Sequence, residues 1–425
     1  MKLNMDSIQK KVLPVANKLS RNKYLKAVSD GLSTILPATI VGAIFTLINC
    51  LPITAYQDFL TSSGVGKLLN LVPTFTINAI ALYGAFFIAQ RLAENFDQDG
   101  TTAALLSVIA FLIVTPFEVL ENGSFLPLAW MGAQGLFVAI ILALVTSRIY
   151  VLIMEKGLVI KMPKGVPPTV AKSFAGLIPG FIIAIIAIII NGIFSMTSFG
   201  NMHEFIYHFI QTPLESLGGS FGGMITAVLI GQVLWLLGIH GSMIIFNVML
   251  PIWLSLDAQN LAAFQAGEPL PNIIGLAFVA IFAQVGGSGS TLGLNILMSF
   301  RAKSQRYKTL GKLSLVPSIC GINEPMIFGT PMILNPLMAI PFLITPVICS
   351  GIAYLTMATG IVPKLMGTLI PTGTPIIISG FMEGSWKIAI LQIVLTVVTV
   401  ICYYPFFKIA DKQAYDLELK AEESK

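Results

Sequence analysis

The sequence predicts an all-α polytopic membrane protein of about ten transmembrane helices plus re-entrant hairpins. Three observations carry that expectation. Hydrophobic residues make up 55% of the 425 residues and charged residues only 11%, with a mean hydropathy of +0.85; a soluble chain of this length carries about twice that share of charge. The charges gather in clusters separated by apolar runs of roughly 20 residues, the length that crosses a hydrocarbon core of about 30 Å. Two further apolar stretches, Gly311 to Thr330 and Ile361 to Ser385, are crowded with Gly, Pro, Ser and Thr and do not read as plain helices.

Taken in order, Met1 to Asp30 is polar and basic, with Lys10, Lys11, Lys18, Arg21, Lys23 and Lys26 on what would be an amphipathic surface helix. It lacks the apolar core and cleavage pattern of a signal peptide. Four crossings follow, near Leu32 to Pro52, Pro73 to Leu92, Thr102 to Pro116 and Leu128 to Ser147, and a fifth near Gly176 to Met196. Asn201 to Leu217, with His203, Glu204, His208 and Glu215, reads as an external or interfacial linker. Phe221 to Leu256 is one apolar region broken at Gly238 to Gly241. Asn272 to Phe300, Asn335 to Thr359 and Trp386 to Phe407 complete the count.

Orientation comes from the basic residues. Of the 25 Lys and Arg, 21 fall in four clusters: Lys2 to Lys26, Arg148 to Lys172, Arg301 to Lys312 and Lys408 to Lys425. Basic loops stay cytoplasmic, so both termini are expected inside. The net charge of +5 then reflects loop bias and not nucleic-acid binding. The plain helices lie early and the broken segments late. That divides the chain into an N-terminal transmembrane scaffold half (1–200), an interfacial linker (201–220) and a substrate-binding half (221–425).

The chemistry concentrates in the late half, because irregular backbone at membrane depth must be buried in protein or line a watery cavity. Glu324 stands in Cys320-Gly-Ile-Asn-Glu-Pro-Met-Ile-Phe-Gly-Thr-Pro331, where an intramembrane carboxylate is a functional group by default. With Asn323 beside it, it offers acceptors and donors suited to sugar hydroxyls. His240 lies between glycines in Gly238-Ile-His-Gly-Ser242; alone it reads as structural, but paired with Glu324 it reads as a ligand group. Gly287 and Ser288, in Gly286-Gly-Ser-Gly-Ser-Thr291, suit either close backbone approach to a ligand or close helix packing. Trp235 and Trp386 are candidate stacking platforms or interfacial residues. Thr372, in Pro371-Thr-Gly-Thr-Pro375, is a candidate cavity hydroxyl or part of a hairpin turn.

Other classes lose support. The four cysteines, Cys50, Cys320, Cys349 and Cys402, form no CxxC pair and read as packing residues. His203 and His208 read as interfacial residues; no metal or cofactor is expected. No Walker motif, pore-filter repeat or intramembrane Arg series appears, which argues against an ATPase, a channel and a voltage sensor.

The stretch Gly321-Ile-Asn-Glu-Pro-Met-Ile-Phe-Gly-Thr-Pro-Met-Ile-Leu-Asn-Pro336, with Trp235 to Ser242 and Gly286 to Asn295, resembles the lactose/cellobiose (N,N'-diacetylchitobiose) class of enzyme IIC permeases of the bacterial phosphotransferase system. The similarity runs over nearly the whole chain. It implies a homodimer in the bacterial cell membrane, with the N-terminal half at the interface and the sugar in the C-terminal half. It implies that Glu324 and His240 match the family's substrate-site Glu and His, beside the hydroxyl that becomes phosphorylated. It implies a β-linked disaccharide as substrate and a cytoplasmic IIB protein, phosphorylated on cysteine, as partner, with no independent catalytic activity in this chain. Thr372 departs from relatives that carry Trp there, which bears on the identity of the disaccharide. The rival expectation is a proton-coupled secondary sugar transporter using Glu324 and His240; a third is a membrane receptor that binds sugar without moving it.

Overall fold

The fold is described from a computed structural model, for residues 14, 18, 21–49, 54–120, 123–163, 165–330, 332, 335–371 and 373–423. Most of the Met1 to Asp30 surface-helix expectation, and Cys50, lie outside these residues. Among the described residues seven helices are long and apolar enough to cross a membrane: Lys23–Thr46, Val65–Glu94, Ala133–Glu155, Val170–Ser195, Gly241–Ala266, Pro336–Ala358 and Trp386–Ala421. A bent pair, Met202–Gly218 with Phe221–Leu236, makes up to eight, and Gly100–Val114 is a shorter apolar helix. The remaining predicted crossing, Asn272 to Phe300, is not one helix. The chain there runs through Leu276–Phe278, a wider π-helical turn at Val279–Ala283, a glycine turn and then Leu292–Arg301. A two-stranded hairpin, Glu118–Leu120 against Gly123–Phe125 with Val119 opposite Ser124, adds a small β element to a chain expected to be all-α.

The chain forms two compact units, one of Ser20–Leu217 with Asn247–Glu268 and one containing Gly218–Phe246 and Pro269–Lys425. Residues 247–268 therefore group with the early helices, although the sequence division assigned them to the late half. The helix Gly241–Ala266 runs unbroken past that point, and a sequence boundary placed at a turn does not see this.

In the first unit small residues bring helices together. A Cβ on Gly31 would stand 2.7 Å from the Ile88 backbone, so Lys23–Thr34 crosses Ile80–Glu94 closely. Ala81, Ala85, Ala103, Ala110 and Ala139 line the same core around Phe111, Phe137 and Tyr150. In the absence of a hydrophobic force between helices in lipid, such close packing supplies the attraction. The predicted linker is helical, Met202–Ile206, a π turn Tyr207–Gln211, then Thr212–Gly218, and it is not peripheral. His203, expected at the interface, is fully buried between Phe111 and Trp130, with Nε2 3.1 Å from the Thr115 hydroxyl. Glu215 is buried as well and accepts from Gln211 Nε2, Ser255 Oγ and Gln259 Nε2 at 2.6–2.9 Å. Glu215 enters the unit with both oxygens met by donors, and His203 with one ring nitrogen met by Thr115 and its ring packed between aromatics.

The second unit centres on Leu294, Met298, Met326, Ile327, Phe342 and Tyr403, all buried. The helix Gln305–Ile319 is tied to the C-terminal helix Trp386–Glu423 at its start. Asp411 accepts from the backbone N–H groups of Lys303 and Ser304. Glu418 accepts from Ser304 Oγ and from the N–H groups of Gln305 and Arg306. Those amides are orphan donors of a helix N-terminus, where a carboxylate is favoured. The Ser304 hydroxyl, then the Arg306 amide, hold the Glu418 carboxyl below its ordinary value.

A carboxylate held low contributes stability above its unfolded pKa and loses it as pH falls through the folded one. Glu418→Ala is therefore expected to lower the thermal midpoint of the detergent-solubilised protein at pH 7, with the gap to wild type closing as the pH is taken below the ordinary carboxylate range. A gap unchanged from pH 7 to pH 3 would show that the carboxylate does not hold this helix.

Candidate functional site

The site is built on four pieces of the second unit, each ended or bent by a glycine. Phe221–Leu236 stops at Gly238, whose φ of +83° lets the chain reverse, and His240 precedes Gly241–Ala266. A Cβ on Gly241 would overlap the Gly231 carbonyl, so only glycine allows the two helices to meet at this break. His240 Nδ1 accepts the Met243 backbone N–H at 3.3 Å, acting as the helix cap. A ring nitrogen that accepts carries no proton, so the neutral imidazole is protonated on Nε2. That nitrogen faces Glu324 Oε1 at 3.7 Å.

Glu324 opens the short helix Glu324–Gly329, with Pro325 at a first-turn position where its missing N–H costs nothing. Its side chain is 42% exposed and that of His240 44%, so the pair is half open. The 3.7 Å separation is longer than a direct hydrogen bond. Oε2 is shielded and has no hydrogen-bond partner among the described residues. The pair therefore holds a strong acceptor with unused capacity.

The other candidates are drawn into one connected arrangement. Trp235 is buried, its ring 4.4 Å from that of His240, and its indole N–H donates to Ser242 Oγ at 3.0 Å. Ser242 Oγ meets Ser288 Oγ at 2.6 Å. Asn323 Nδ2 donates to the Ser288 carbonyl at 2.7 Å and to Thr291 Oγ1 at 2.6 Å. The contacts thus close a ring: Trp235, Ser242, Ser288, Asn323, Glu324, His240 and back to Trp235.

The turn at 286–291 is the hub. Gly286, Gly287, Gly289 and Ser290 all have positive φ, from +50° to +98°, and the whole turn is buried. Its carbonyls are met by protein donors, Ser288 by Asn323 and Gly289 by the buried Tyr403 hydroxyl at 2.7 Å. Gly287 and Ser288, read as possible direct contacts to a ligand, here sit inside the packing, with Asn323 pressed on Gly287. Both Asn323 bonds made by its amide nitrogen go to protein. Trp386 is exposed at the start of the C-terminal helix and has no hydrogen bond or ring contact with this group among the described residues. Thr372 lies outside the described residues.

Sequence reasoning missed Tyr403, for which no local signal exists: it is one aromatic residue in a long uncharged helix. It also missed Glu383, a fully buried carboxylate in the second broken segment, which the rule applied to Glu324 would have found.

A family model for the phosphotransferase system EIIC matches residues 29–346. The lichenan permease IIC component of Bacillus subtilis (strain 168) is 40% identical, over 97% of this chain and 95% of its own. The cellobiose-specific EIIC component of Geobacillus stearothermophilus is 41% identical, over 96% and 94%. The crystal structure of the transporter ChbC, the IIC component of an N,N'-diacetylchitobiose-specific phosphotransferase system, matches with a TM-score of 0.90 and 41% identity, covering 97% of this chain and 99% of that one.

Two glycines separate the packing cost of a side chain from its backbone cost. A Cβ on Gly287 would run into the Asn323 carboxamide, whereas one on Gly321, φ +79°, would meet open space. Both alanine variants bear the cost of positive φ, above about 1 kcal/mol, and Gly287→Ala adds the displacement of Asn323. Gly287→Ala is expected to lower the thermal midpoint clearly more than Gly321→Ala; equal losses would mean the Asn323 contact carries no weight.

Proposed function

The chain belongs to the phosphotransferase system EIIC family, and on that premise we propose that it carries a β-linked disaccharide, of the cellobiose or diacetylchitobiose kind, across the membrane and presents it for phosphorylation by a phosphorylated cytoplasmic IIB protein. The observation that carries this reading is the half-open His240–Glu324 pair in the second unit. The names of the 40–41% identical relatives support the sugar class. The basic clusters support cytoplasmic termini. The homodimer, the interfacial role of the early half and the count of about ten crossings belong to the same proposal.

The chemistry follows from the pair. A sugar hydroxyl donates to the Glu324 carboxylate. As its oxygen forms a bond to the phosphorus on the IIB cysteine, the P–S bond breaks, the thiolate leaves with the electron pair, and the hydroxyl proton passes to Glu324. His240, with Nδ1 occupied by Met243 N–H, directs Nε2–H toward Glu324 or the sugar oxygen and so orients the acceptor. Phosphoryl transfer asks the protein mainly for placement and charge management. Placement falls to this chain and the phosphoryl group to IIB. Once Glu324 gives up that proton to water, the product's phosphate stands beside a carboxylate, which weakens its hold and favours release.

Glu324→Gln keeps the shape and a hydrogen-bonding group but cannot take the proton. Disaccharide phosphorylation in the presence of phospho-IIB is expected to fall by about 10²-fold or more, the usual weight of a general base, while sugar binding persists. Wild-type phosphorylation by that variant would sink the assignment. Uptake driven by a pH gradient alone, in vesicles without soluble phosphotransferase proteins, would instead establish the proton-coupled reading of the same pair.

A further inference from the structure

The second broken segment holds a carboxylate outside the pair. Glu383 follows the short helix Ile378–Met382 and is 1% exposed. Its Oε2 accepts the backbone N–H of Gly367 at 3.0 Å and lies 3.4 Å from that of Thr368. It therefore fastens the beginning of an irregular stretch, described at 367–371 and 373–377, from a residue that follows the stretch in the chain.

The end of the stretch is fastened too. Gln392, on the C-terminal helix, accepts the Ile377 N–H with Oε1 at 2.9 Å and donates from Nε2 to Ser379 Oγ at 2.8 Å. Ile377 is held at φ +77°, which a β-branched residue adopts only when its surroundings impose it. There is no slack at this base. A Cβ on Gly380 would meet Gln392 Oε1 and the Ala389 backbone, and one on Gly384 would meet Met366 Sδ. Next to Ile377, the Ile376 N–H donates to the Ile319 carbonyl at 3.0 Å. Ile319 ends the helix whose following turn carries Asn323 and Glu324. The stretch that Glu383 fastens at one end thus abuts the Glu324 hairpin at the other.

We propose that Glu383 is a positioning residue for the sugar site: by gripping the amides of Gly367 and Thr368 it sets where the 367–377 stretch stands against the Glu324 hairpin. The proposal rests on the sugar-carrying reading above. A carboxylate suits the task because one oxygen can serve two amides, and charge-assisted bonds hold backbone more firmly than neutral ones.

The test uses the full-length purified protein in detergent, with hydrogen–deuterium exchange and cellobiose titration on the wild type and on Glu383→Ala, Glu383→Gln, Glu383→Met and Glu383→Asp. In Glu383→Ala, exchange at 367–377 is expected to quicken and the cellobiose dissociation constant to rise, each by about tenfold, the weight of a lost hydrogen bond to a charged group. The buried turn at 286–291 should stay slow, which shows that the fold is intact. Glu383→Gln, which keeps an acceptor of the same reach, should recover part of both effects, whereas Glu383→Met, similar in volume but without an oxygen acceptor, should recover neither; recovery by Met would mean that the side chain only fills space. Wild-type exchange and affinity in Glu383→Ala, or faster exchange with unchanged affinity, overturns the proposal. Should the alanine variant fail to fold, Glu383→Asp decides: the charge stays but the acceptor withdraws, so exchange should quicken and affinity fall, and wild-type values in both overturn the proposal. A wild-type protein that binds no cellobiose counts against the sugar-carrying reading and not against the grip of Glu383 on the stretch, which wild-type exchange at 367–377 in Glu383→Ala alone would overturn.

Discussion

The second unit depends on satisfying buried, non-helical backbone. A helix in a bilayer closes its own hydrogen bonds, but a turn with four residues at positive φ does not, and each open group in such surroundings costs several kcal/mol, of order 2–7. The 286–291 turn meets this demand with side chains from other elements, Asn323 on Ser288 and Tyr403 on Gly289, and its own Ser290 Oγ donates back to the Ala283 carbonyl. Asn323 matters most, because it immediately precedes Glu324. The bonds that satisfy the turn also seat the hairpin that holds the carboxylate.

This coupling explains why the arrangement is dense with small and amide-bearing residues. Asn295 donates to Ser314 and Ser318 and so ties Leu292–Arg301, which follows the turn, to Gln305–Ile319, which leads into the hairpin. Gly293 lets the same helix approach the backbone of Thr399 and Val400, close to Tyr403. Helix contacts, turn and hairpin thus support one another, and the His240–Glu324 separation is set by all of them together. A 1 Å error at such a pair is costly to chemistry that relies on placement.

Much of this was legible in sequence, for reasons that also mark where reading stops. Long uncharged runs carry a physical requirement, crossing about 30 Å of hydrocarbon, so Gly176 to Met196 and Asn335 to Thr359 were found close to the observed Val170–Ser195 and Pro336–Ala358. The break at Gly238 to Gly241 was visible because only backbone constraints place glycines on both sides of an imidazole. Asn272 to Phe300 was misread as a plain crossing because its apolar content is high enough for one; the turn inside it is announced only by Gly286 to Ser290. His203 and Glu215 were placed at the interface on polarity alone. Their burial depends on partners far away in sequence, such as Thr115 at 88 residues and Ser255 at 40, and no local pattern encodes these. Tyr403 is the same case, 114 residues from its acceptor.

Three carboxylates, Glu215, Asp411 and Glu418, differ from Glu324 in how much of their acceptor capacity is spent. Glu215 has both oxygens engaged by side-chain donors, Asp411 has both on backbone amides, and Glu418 has both on a helix start. Glu215 and Asp411 are buried and are held where they are because their partners repay the removal from water. Glu324 is treated differently. Its neighbour His240 stands beyond hydrogen-bond length at 3.7 Å, its Oε2 has no hydrogen-bond partner among the described residues, and the carboxamide of the adjacent Asn323 donates to the turn instead. A charge left under-satisfied in a rigid frame is unfavourable to stability and favourable to a ligand that brings its own donors. On the proposed reading that ligand is a sugar, whose hydroxyls are donors arranged at fixed spacing.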